Sequence, residues 1–117
     1  MREKLLAVVN QQILEGAGYR VTTAQDGRAA LAVLDAETDV ACVVSDVEMP
    51  LMGGLDLLEA IRARPDRSAL PVVIVTSRAD DEVLQRGAEA GADAWIVKSQ
   101  FEQDALLDTV SRLVGKR

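Results

Sequence analysis

Three chemically active side chains follow three separate apolar runs of the sequence. Asp46 ends one run, Thr76 ends the next one thirty residues later, and Lys98 follows a third after another twenty-two residues. Together they offer a carboxylate, a hydroxyl and an ammonium group, a set that suits chemistry on an anionic group. Singly, each has an ordinary explanation as a turn residue, a helix cap or a solvated charge. The prediction of a functional site therefore depends on whether the fold brings them together.

The elements that must position these residues alternate along the chain. Four apolar runs rich in β-branched residues predict strands buried on both faces, at Arg20–Thr23, Val40–Val44, Pro71–Val75 and Ala94–Val97. Segments with helical spacing of apolar residues lie around them and predict amphipathic helices. Helix boundaries are indicated at Gly18, Asp26-Gly27, Pro65, Gly91 and a capping box over 99–102. The alternation predicts an α/β fold with a parallel sheet covered by helices on both faces, and a site at the carboxyl ends of its strands.

Composition narrows the classes of function. The 117 residues suit one domain, and 49% apolar with 27% charged residues is typical of a globular protein. Thirteen basic and 19 acidic residues give a net charge of −6, which argues against nucleic acid or an anionic membrane as partner. The chain has no histidine, which excludes histidine-based catalysis. Its single cysteine, Cys42, is expected to be a small buried strand residue, compatible with a reducing, cytoplasmic location.

The segment around Asp46 resembles the phosphoacceptor region of a response-regulator receiver domain, the phosphorylated module of two-component signalling. It reads Val43-Val44-Ser45-Asp46-Val47-Glu48-Met49-Pro50, and Thr76 and Lys98 follow at the spacing of that family. The segments Gly18-Tyr19 and Gly91–Ala94 fit as well, so the resemblance covers nearly the whole chain. It implies that residues 1–117 form one receiver domain with a flavodoxin-like, three-layer fold.

The resemblance also implies a role for each residue. Asp46 would accept a phosphoryl group from the phosphohistidine of a sensor kinase, while Thr76 and Lys98 would bind phosphoryl oxygens. Mg²⁺ would be held by the Asp46 carboxylate and the backbone carbonyl of Glu48. Trp95 lies where the family carries an aromatic switch residue that turns inward on phosphorylation. Plain core packing and an exposed interface position are the competing interpretations of Trp95.

The sequence departs from the family at its beginning. Receivers normally start with a central strand that ends in two adjacent acidic residues, which hold the metal, and this chain has no such pair. In one interpretation, residues 2–16 form the first helix and the strand is missing. In the other, Lys4–Val9 is the strand and Asn10-Gln11 occupy the acidic positions. We favour the first, because the second leaves only residues 12–16 for a crossover helix, whereas a crossover generally needs about 10–12 residues.

A missing central strand would have two consequences. The N-terminally incomplete domain would have four strands, and the unpaired edges would be closed by joining the strand near Val21 to the one near Val43 or by exchanging elements in a homodimer. Magnesium binding would be weakened, because it would rely on Asp46, the Glu48 carbonyl and water.

A narrower resemblance concerns the segment after the last strand. Val97-Lys98-Ser99-x-Phe101 is similar to receivers fused to the C-terminus of chemotaxis-type histidine kinases, which implies a hybrid kinase as the parent chain. The expected partners are a histidine kinase or its phosphotransfer domain, and the last two helices with the strand between them would form the switching face. Such a domain is a signalling switch with slow autodephosphorylation rather than a turnover enzyme. A rival hypothesis is a receiver-shaped interaction module that works without phosphorylation; a flavodoxin-like cofactor binder ranks last, because no Gly-rich phosphate loop is present.

Overall fold

The fold is a parallel five-stranded sheet with helices on both faces. The computed structural model describes residues 3–8, 11–47, 52–77, 81–97 and 102–115. The strands are β1 Lys4–Ala7, β2 Arg20–Thr23, β3 Val40–Asp46, β4 Val72–Thr76 and β5 Ala94–Val97. The helices are α1 Gln11–Gly16, α2 Gly27–Ala36, α3 Gly54–Arg62, α4 Asp81–Ala90 and α5 Glu102–Gly115. The spatial order of the strands is β2-β1-β3-β4-β5, and every neighbouring pair is parallel. The predicted α/β fold is confirmed.

Two apolar layers hold the helices to the sheet. One layer combines residues of α2, α3 and α4 with one face of the strands, including Leu34, Ile61 and Val83. The other combines α1 and α5 with the opposite face, including Leu14 and Leu106. The residues of β4 from Val72 to Val75 enter the two layers alternately, because successive side chains of a strand point to opposite faces. This division gives the three-layer arrangement that the sequence predicted.

The expected absence of the central strand is wrong. Residues Lys4–Ala7 form β1, which lies between β2 and β3, and Leu5 and Leu6 are completely buried. Leu5 is in register with Val21, and Leu6 with Val43. A helix over residues 2–16 would have left the edges of both neighbouring strands without hydrogen-bond partners, at a high cost in free energy. The sheet therefore has five strands instead of four.

The crossover between β1 and β2 is longer than its helix. Helix α1 is indeed short, at six residues, but the connection from Ala7 to Arg20 spans residues 8–19. That length meets the minimum for a parallel crossover of about 10–12 residues. Since β2 pairs with β1 rather than with β3, the predicted junction of the strands near Val21 and Val43 is also wrong. The structural reason for expecting an exchanged dimer is removed with it.

Strand and helix limits otherwise follow the sequence closely. Strands β2 and β5 have the predicted limits. As the outermost strands of the sheet they are only partly buried, whereas β3 and β4 are buried nearly throughout. Asp26 caps α2, because its Oδ1 accepts a hydrogen bond from the Ala29 N–H at 2.8 Å. Gly18 and Gly91 end helical segments with φ of 96° and 91°, conformations that favour glycine. Among the helices of the described residues, none is long and apolar enough to span a membrane.

Candidate functional site

Asp46 and Thr76 lie at the carboxyl ends of adjacent strands. Asp46 is the last residue of β3 and is partly buried; Thr76 is the last residue of β4 and is only 1% exposed. Asp46 is in register with Val75, so Thr76 is one residue further along the neighbouring strand. Parallel strands bring their carboxyl ends to one edge of the sheet, so both residues lie at that edge.

The third member of the predicted set follows the next strand. Thr76 is in register with Val97, the last residue of β5 and the residue before Lys98. Lys98 and Glu48, the predicted source of a metal-ligating carbonyl, lie outside the described residues. Their roles remain the predictions made from the sequence.

The end of β3 is fixed by a glycine at the start of α3. A Cβ atom added to Gly54 would lie 1.9 Å from the carbonyl oxygen of Asp46, so only glycine fits this close approach. The Gly54 N–H donates to the Val47 carbonyl at 2.9 Å, and the Ser45 hydroxyl donates to the Asp46 carbonyl at the same distance. These contacts place the first turn of α3 directly against the backbone of Asp46.

A second close approach joins α2 to the segment before α3. The Gly27 N–H donates to the Met52 carbonyl at 3.1 Å, and a Cβ on Gly27 would lie 2.6 Å from the Met52 Cγ. Met52, which lies just before α3, is thus held against the N-terminus of α2. Both contacts use backbone and apolar atoms rather than ion pairs.

The carboxyl end of β1 brings an apolar side chain to the site edge. The Val8 N–H donates to the Val44 carbonyl at 2.9 Å, and Val8 packs against the apolar layer of α2, α3 and α4. Of the two residues considered for the acidic positions, Asn10 lies outside the described residues, and Gln11 is the exposed first residue of α1. Within the described ranges, no three acidic, cysteine or histidine side chains are grouped so that they could hold a metal ion. Of the first residues described beyond the end of β1, Val8 and Gln11, neither is acidic.

Trp95 is turned into the fold rather than toward solvent. It lies on β5 in register with Ile74, and its ring covers Gly87 of α4 so closely that a Cβ on that glycine would lie 2.2 Å from Cζ3. The ring packs against the layer of α2, α3 and α4. Its Nε1 is excluded from solvent and has no hydrogen-bond partner among the described residues. Of the two competing interpretations of Trp95, core packing and an exposed interface position, the structure favours core packing.

A groove beside the site separates α3 from α4. Its volume is about 200 Å³, and its lining includes Val47, directly after Asp46, and Val83 of α4. Arg86 bridges the two helices, with its Nη2 2.7 Å from the Asp56 carboxylate and 3.2 Å from that of Glu59. These two hydrogen bonds hold the pKa of the Arg86 guanidinium above its ordinary value. The middle of α4 is thereby tied to the first two turns of α3.

The glycines of the site were missed as functional residues. The pair Gly53-Gly54 after the Met-Pro turn was a signal, because consecutive glycines at the start of a helix indicate a close backbone approach. Gly87 gave no comparable signal, since its role depends on the ring that the fold places against it. The acidic residues Asp81 and Glu82 lie in the first turn of α4, where they complement the helix dipole.

Comparisons with known proteins agree with this architecture. The family model for the response regulator receiver domain matches residues 3–111. The two-component response regulator ORR3 of Oryza sativa subsp. indica is 32% identical over 92% of this chain, which spans 79% of that protein. The gliding motility regulatory protein of Myxococcus xanthus is 33% identical over 86% of this chain, but the match spans only 13% of that protein's length. The crystal structure of the Vibrio cholerae chemotaxis protein CheY4 superposes with a TM-score of 0.84 and 33% identity, covering 97% of this chain and 99% of that one.

Proposed function

The chain belongs to the response regulator receiver domain family, and from this premise we propose that it accepts a phosphoryl group on Asp46. The observation that carries the proposal is the placement of Asp46 and Thr76 at the ends of adjacent parallel strands. A carboxylate nucleophile and a hydroxyl that can bind a phosphoryl oxygen are then neighbours at the edge where α/β sheets bind their ligands.

The proposed step is a displacement at phosphorus. A carboxylate oxygen of Asp46 forms a bond to the phosphorus of a phosphohistidine, while the P–N bond breaks and its electron pair stays on the leaving imidazole nitrogen, which takes up a proton. The product is an acyl phosphate. Thr76 binds one oxygen of the transferred group, and Lys98 neutralises another, since phosphoryl transfer depends mainly on positioning and charge stabilisation.

The contact with Gly54 supports this assignment of Asp46. Because the Asp46 carbonyl lies against the backbone of α3, the nucleophile has a fixed backbone and its carboxylate is positioned before the donor arrives. Gly53, which has no side chain, also lines the groove beside Val47 and leaves this part of the site edge open. A phosphoryl donor can then approach from the carboxyl ends of the strands.

Magnesium binding is proposed to be weak in the free domain. Receiver domains bind Mg²⁺ in their active site, and Mg²⁺ is usually held by one or two carboxylates together with phosphate oxygens and water. Here the Asp46 carboxylate and the Glu48 carbonyl would hold the ion, while β1 contributes Val8 at its carboxyl end. The ion supplies positive charge next to the phosphoryl oxygens when it is bound. We expect its affinity to rise when a phosphoryl group adds further oxygen ligands.

The proposed partner is a histidine kinase or its phosphotransfer domain. Receiver domains interact with proteins of these classes. The proposed response is a change of the face made by α4, β5 and α5, with Trp95 as the reporting side chain. Because Trp95 is the single tryptophan of the chain, its fluorescence follows this face without labelling.

A fluorescence titration tests the proposal. Mg²⁺ is added first and beryllofluoride second, because beryllofluoride mimics a phosphoryl group on a carboxylate. We expect a saturable change in Trp95 fluorescence that requires both additions and disappears in Asp46→Ala. The matched control is Asp108→Ala, which removes an exposed carboxylate of α5 and should leave the titration unchanged. A wild-type chain that shows no change at saturating Mg²⁺ and beryllofluoride contradicts the proposal.

A second candidate is an interaction module that works without phosphorylation. The apolar Val8 at the carboxyl end of β1 favours it, because an apolar side chain there cannot help to hold the Mg²⁺ on which phosphoryl transfer depends. Such a module would bind its kinase partner with the same affinity whether Mg²⁺ and beryllofluoride are present or absent. Binding that strengthens when both are added would exclude it.

A further inference from the structure

Gly87 is the residue of α4 that faces the Trp95 ring. A Cβ at this position would lie 2.2 Å from Cζ3, 2.8 Å from Cε3 and 3.2 Å from Cη2 of the indole. Separations this short between carbon atoms are repulsive, and the three contacted atoms belong to a rigid ring rather than to the end of a flexible chain. Any other residue at position 87 would therefore require the ring or the helix to move.

The inward position of Trp95 combines opposing contributions. Packing of the ring against the layer of α2, α3 and α4 favours it, because apolar surface is removed from water. The indole Nε1–H opposes it, since this group is excluded from solvent without a hydrogen-bond acceptor among the described residues. An outward rotation would hydrate the N–H and would expose the ring. The two positions are thus closer in free energy than packing alone would make them.

We propose that Gly87 is a positioning residue that sets the balance between the inward and outward positions of Trp95. With glycine, the ring fits against α4 and the inward position is favoured. A side chain as small as a methyl group fills that space and drives the indole outward. Gly87 thereby determines how strongly the face around β5 responds to events at the site.

The residue before Gly87 links α4 to α3. The Arg86 guanidinium pairs with the carboxylates of Asp56 and Glu59. A glycine in the middle of a ten-residue helix is otherwise unfavourable, because glycine is a poor helix former compared with alanine. Its close contact with the ring is the structural feature that offsets this disadvantage.

The first test compares two identical substitutions in two helices. Gly87→Ala should shift the fluorescence emission of Trp95 to longer wavelength and increase its quenching by acrylamide, since the indole moves toward water. Gly16→Ala is the matched control, because a Cβ at Gly16 of α1 would meet nothing within 4 Å. Its spectrum and quenching should equal those of the wild type. A Gly87→Ala variant that folds with a wild-type spectrum and wild-type quenching overturns the proposal.

A stability measurement keeps the proposal testable even if Gly87→Ala folds poorly. Without the ring, alanine at position 87 should be the better helix residue, and with the ring it should be the worse one. We therefore expect Gly87→Ala to lower the urea midpoint in the wild-type background and to raise it in a Trp95→Ala background. A decrease of equal size in both backgrounds would show that the glycine acts independently of the ring, and would contradict the proposal.

The role of Gly87 in the response to phosphorylation rests on the proposed function, whereas its contact with Trp95 does not. Quenching and stability are measured without Mg²⁺ or any phosphoryl mimic, so they report the Trp95–Gly87 contact alone. The wild-type fluorescence could fail to respond to beryllofluoride while Gly87→Ala exposes its indole. These two results together would contradict the proposed function and support the positioning role of Gly87. Where both hold, Gly87→Ala should also show a smaller fluorescence response to Mg²⁺ with beryllofluoride than Gly16→Ala.

Discussion

The edge of the sheet where the strands begin and the edge where they end are held together in different ways. At the edge where the strands begin, Lys4 binds Glu37 and Asp39, with Nζ–O distances of 2.6 and 3.3 Å. At the same edge, the Arg62 guanidinium donates to the carbonyls of Leu70 and Gly91, among other partners. At the edge where the strands end, close contacts at glycines position the helices around Asp46 and Thr76.

This difference separates the residues that stabilise the fold from those available for chemistry. At the edge where the strands begin, the charged side chains of Lys4 and Arg62 pair with groups of the fold. Glycine contacts at the second edge place helices close to the site without adding charge to it. A substitution at the edge where the strands end should therefore destabilise the fold by steric overlap. A substitution at the edge where the strands begin should destabilise it by removing ion pairs or hydrogen bonds.

The largest effect is expected at the closest glycine contact. Gly54→Ala places a Cβ against the Asp46 carbonyl, so either α3 or the end of β3 must shift. We expect the free energy of unfolding to fall by about 3 kcal/mol, in the range of severe overpacking, and the response to beryllofluoride to weaken with it. Urea unfolding and the Trp95 titration measure the two effects. Gly16→Ala provides the control, and an unchanged unfolding midpoint for Gly54→Ala would contradict the account of this edge.

The counterpart at the opposite edge is Arg62. Its guanidinium also pairs with the Asp93 carboxylate at 2.8 Å and thus joins the end of α3 to the starts of β4 and β5. Arg62→Met should lower the free energy of unfolding by about 2 kcal/mol, because carbonyls and a carboxylate lose their donors. The affinity for Mg²⁺ with beryllofluoride should stay at the wild-type level. The control is Arg112→Met on the exposed face of α5, and a loss of affinity in Arg62→Met would break the proposed separation of the edges.

Acid sensitivity should originate at the edge where the strands begin. Hydrogen bonds from Lys4 lower the pKa of Glu37 and of Asp39 below their ordinary values of 4.5 and 3.8. A carboxyl whose folded pKa is lowered stabilises the fold above its unfolded pKa, and this contribution is lost as the pH falls through the folded value. The urea midpoint should therefore decrease as the pH is lowered below about 4.5, and less steeply in Glu37→Gln.

The control for this prediction is Glu15→Gln, which removes an exposed carboxylate of α1. Its midpoint should follow the wild-type pH dependence. Parallel curves for the wild type and Glu37→Gln would contradict the assignment of acid sensitivity to the Lys4 pair.

The smallest effect is expected for the exposed ion pair between α3 and α4. About half of the Arg86, Asp56 and Glu59 side-chain surfaces is exposed, so solvent screens these interactions. Arg86→Gln should lower the free energy of unfolding by about 0.5 kcal/mol at low salt, and by less at roughly 1 M salt. Urea unfolding at the two salt concentrations measures the difference. A loss that is large and independent of salt would show that Arg86 contributes through packing instead.

Most of the fold followed from the sequence, because its signals are local. The buried strands β3 and β4 are continuous apolar runs, and Asp26, Gly18 and Gly91 marked helix limits that the structure confirms. Strand β1 was not predicted because the helix of the crossover after it is short. The connection over residues 8–19 reaches the required length with α1 and the turns on either side of it, which no periodic pattern reveals.

The site was only partly predictable from the sequence. Asp46 and Thr76 could be placed because strand ends converge in any parallel sheet. The close contacts of Gly54 with Asp46 and of Gly87 with Trp95 could not, since they depend on the distance between a helix and a strand far apart in the chain. That distance is set by the packing of whole elements, which no local pattern encodes.

The central claim, that Asp46 is the phosphoacceptor, is tested most directly by intact-mass analysis. The chain is incubated with Mg²⁺ and acetyl phosphate, a small phosphodonor, beside the isosteric variant Asp46→Asn and the control Asp108→Asn. We predict the addition of one phosphoryl group to the wild type and to Asp108→Asn, and none to Asp46→Asn. A wild-type chain that stays unmodified at saturating donor and Mg²⁺, or an Asp46→Asn chain that is still phosphorylated, would contradict the claim.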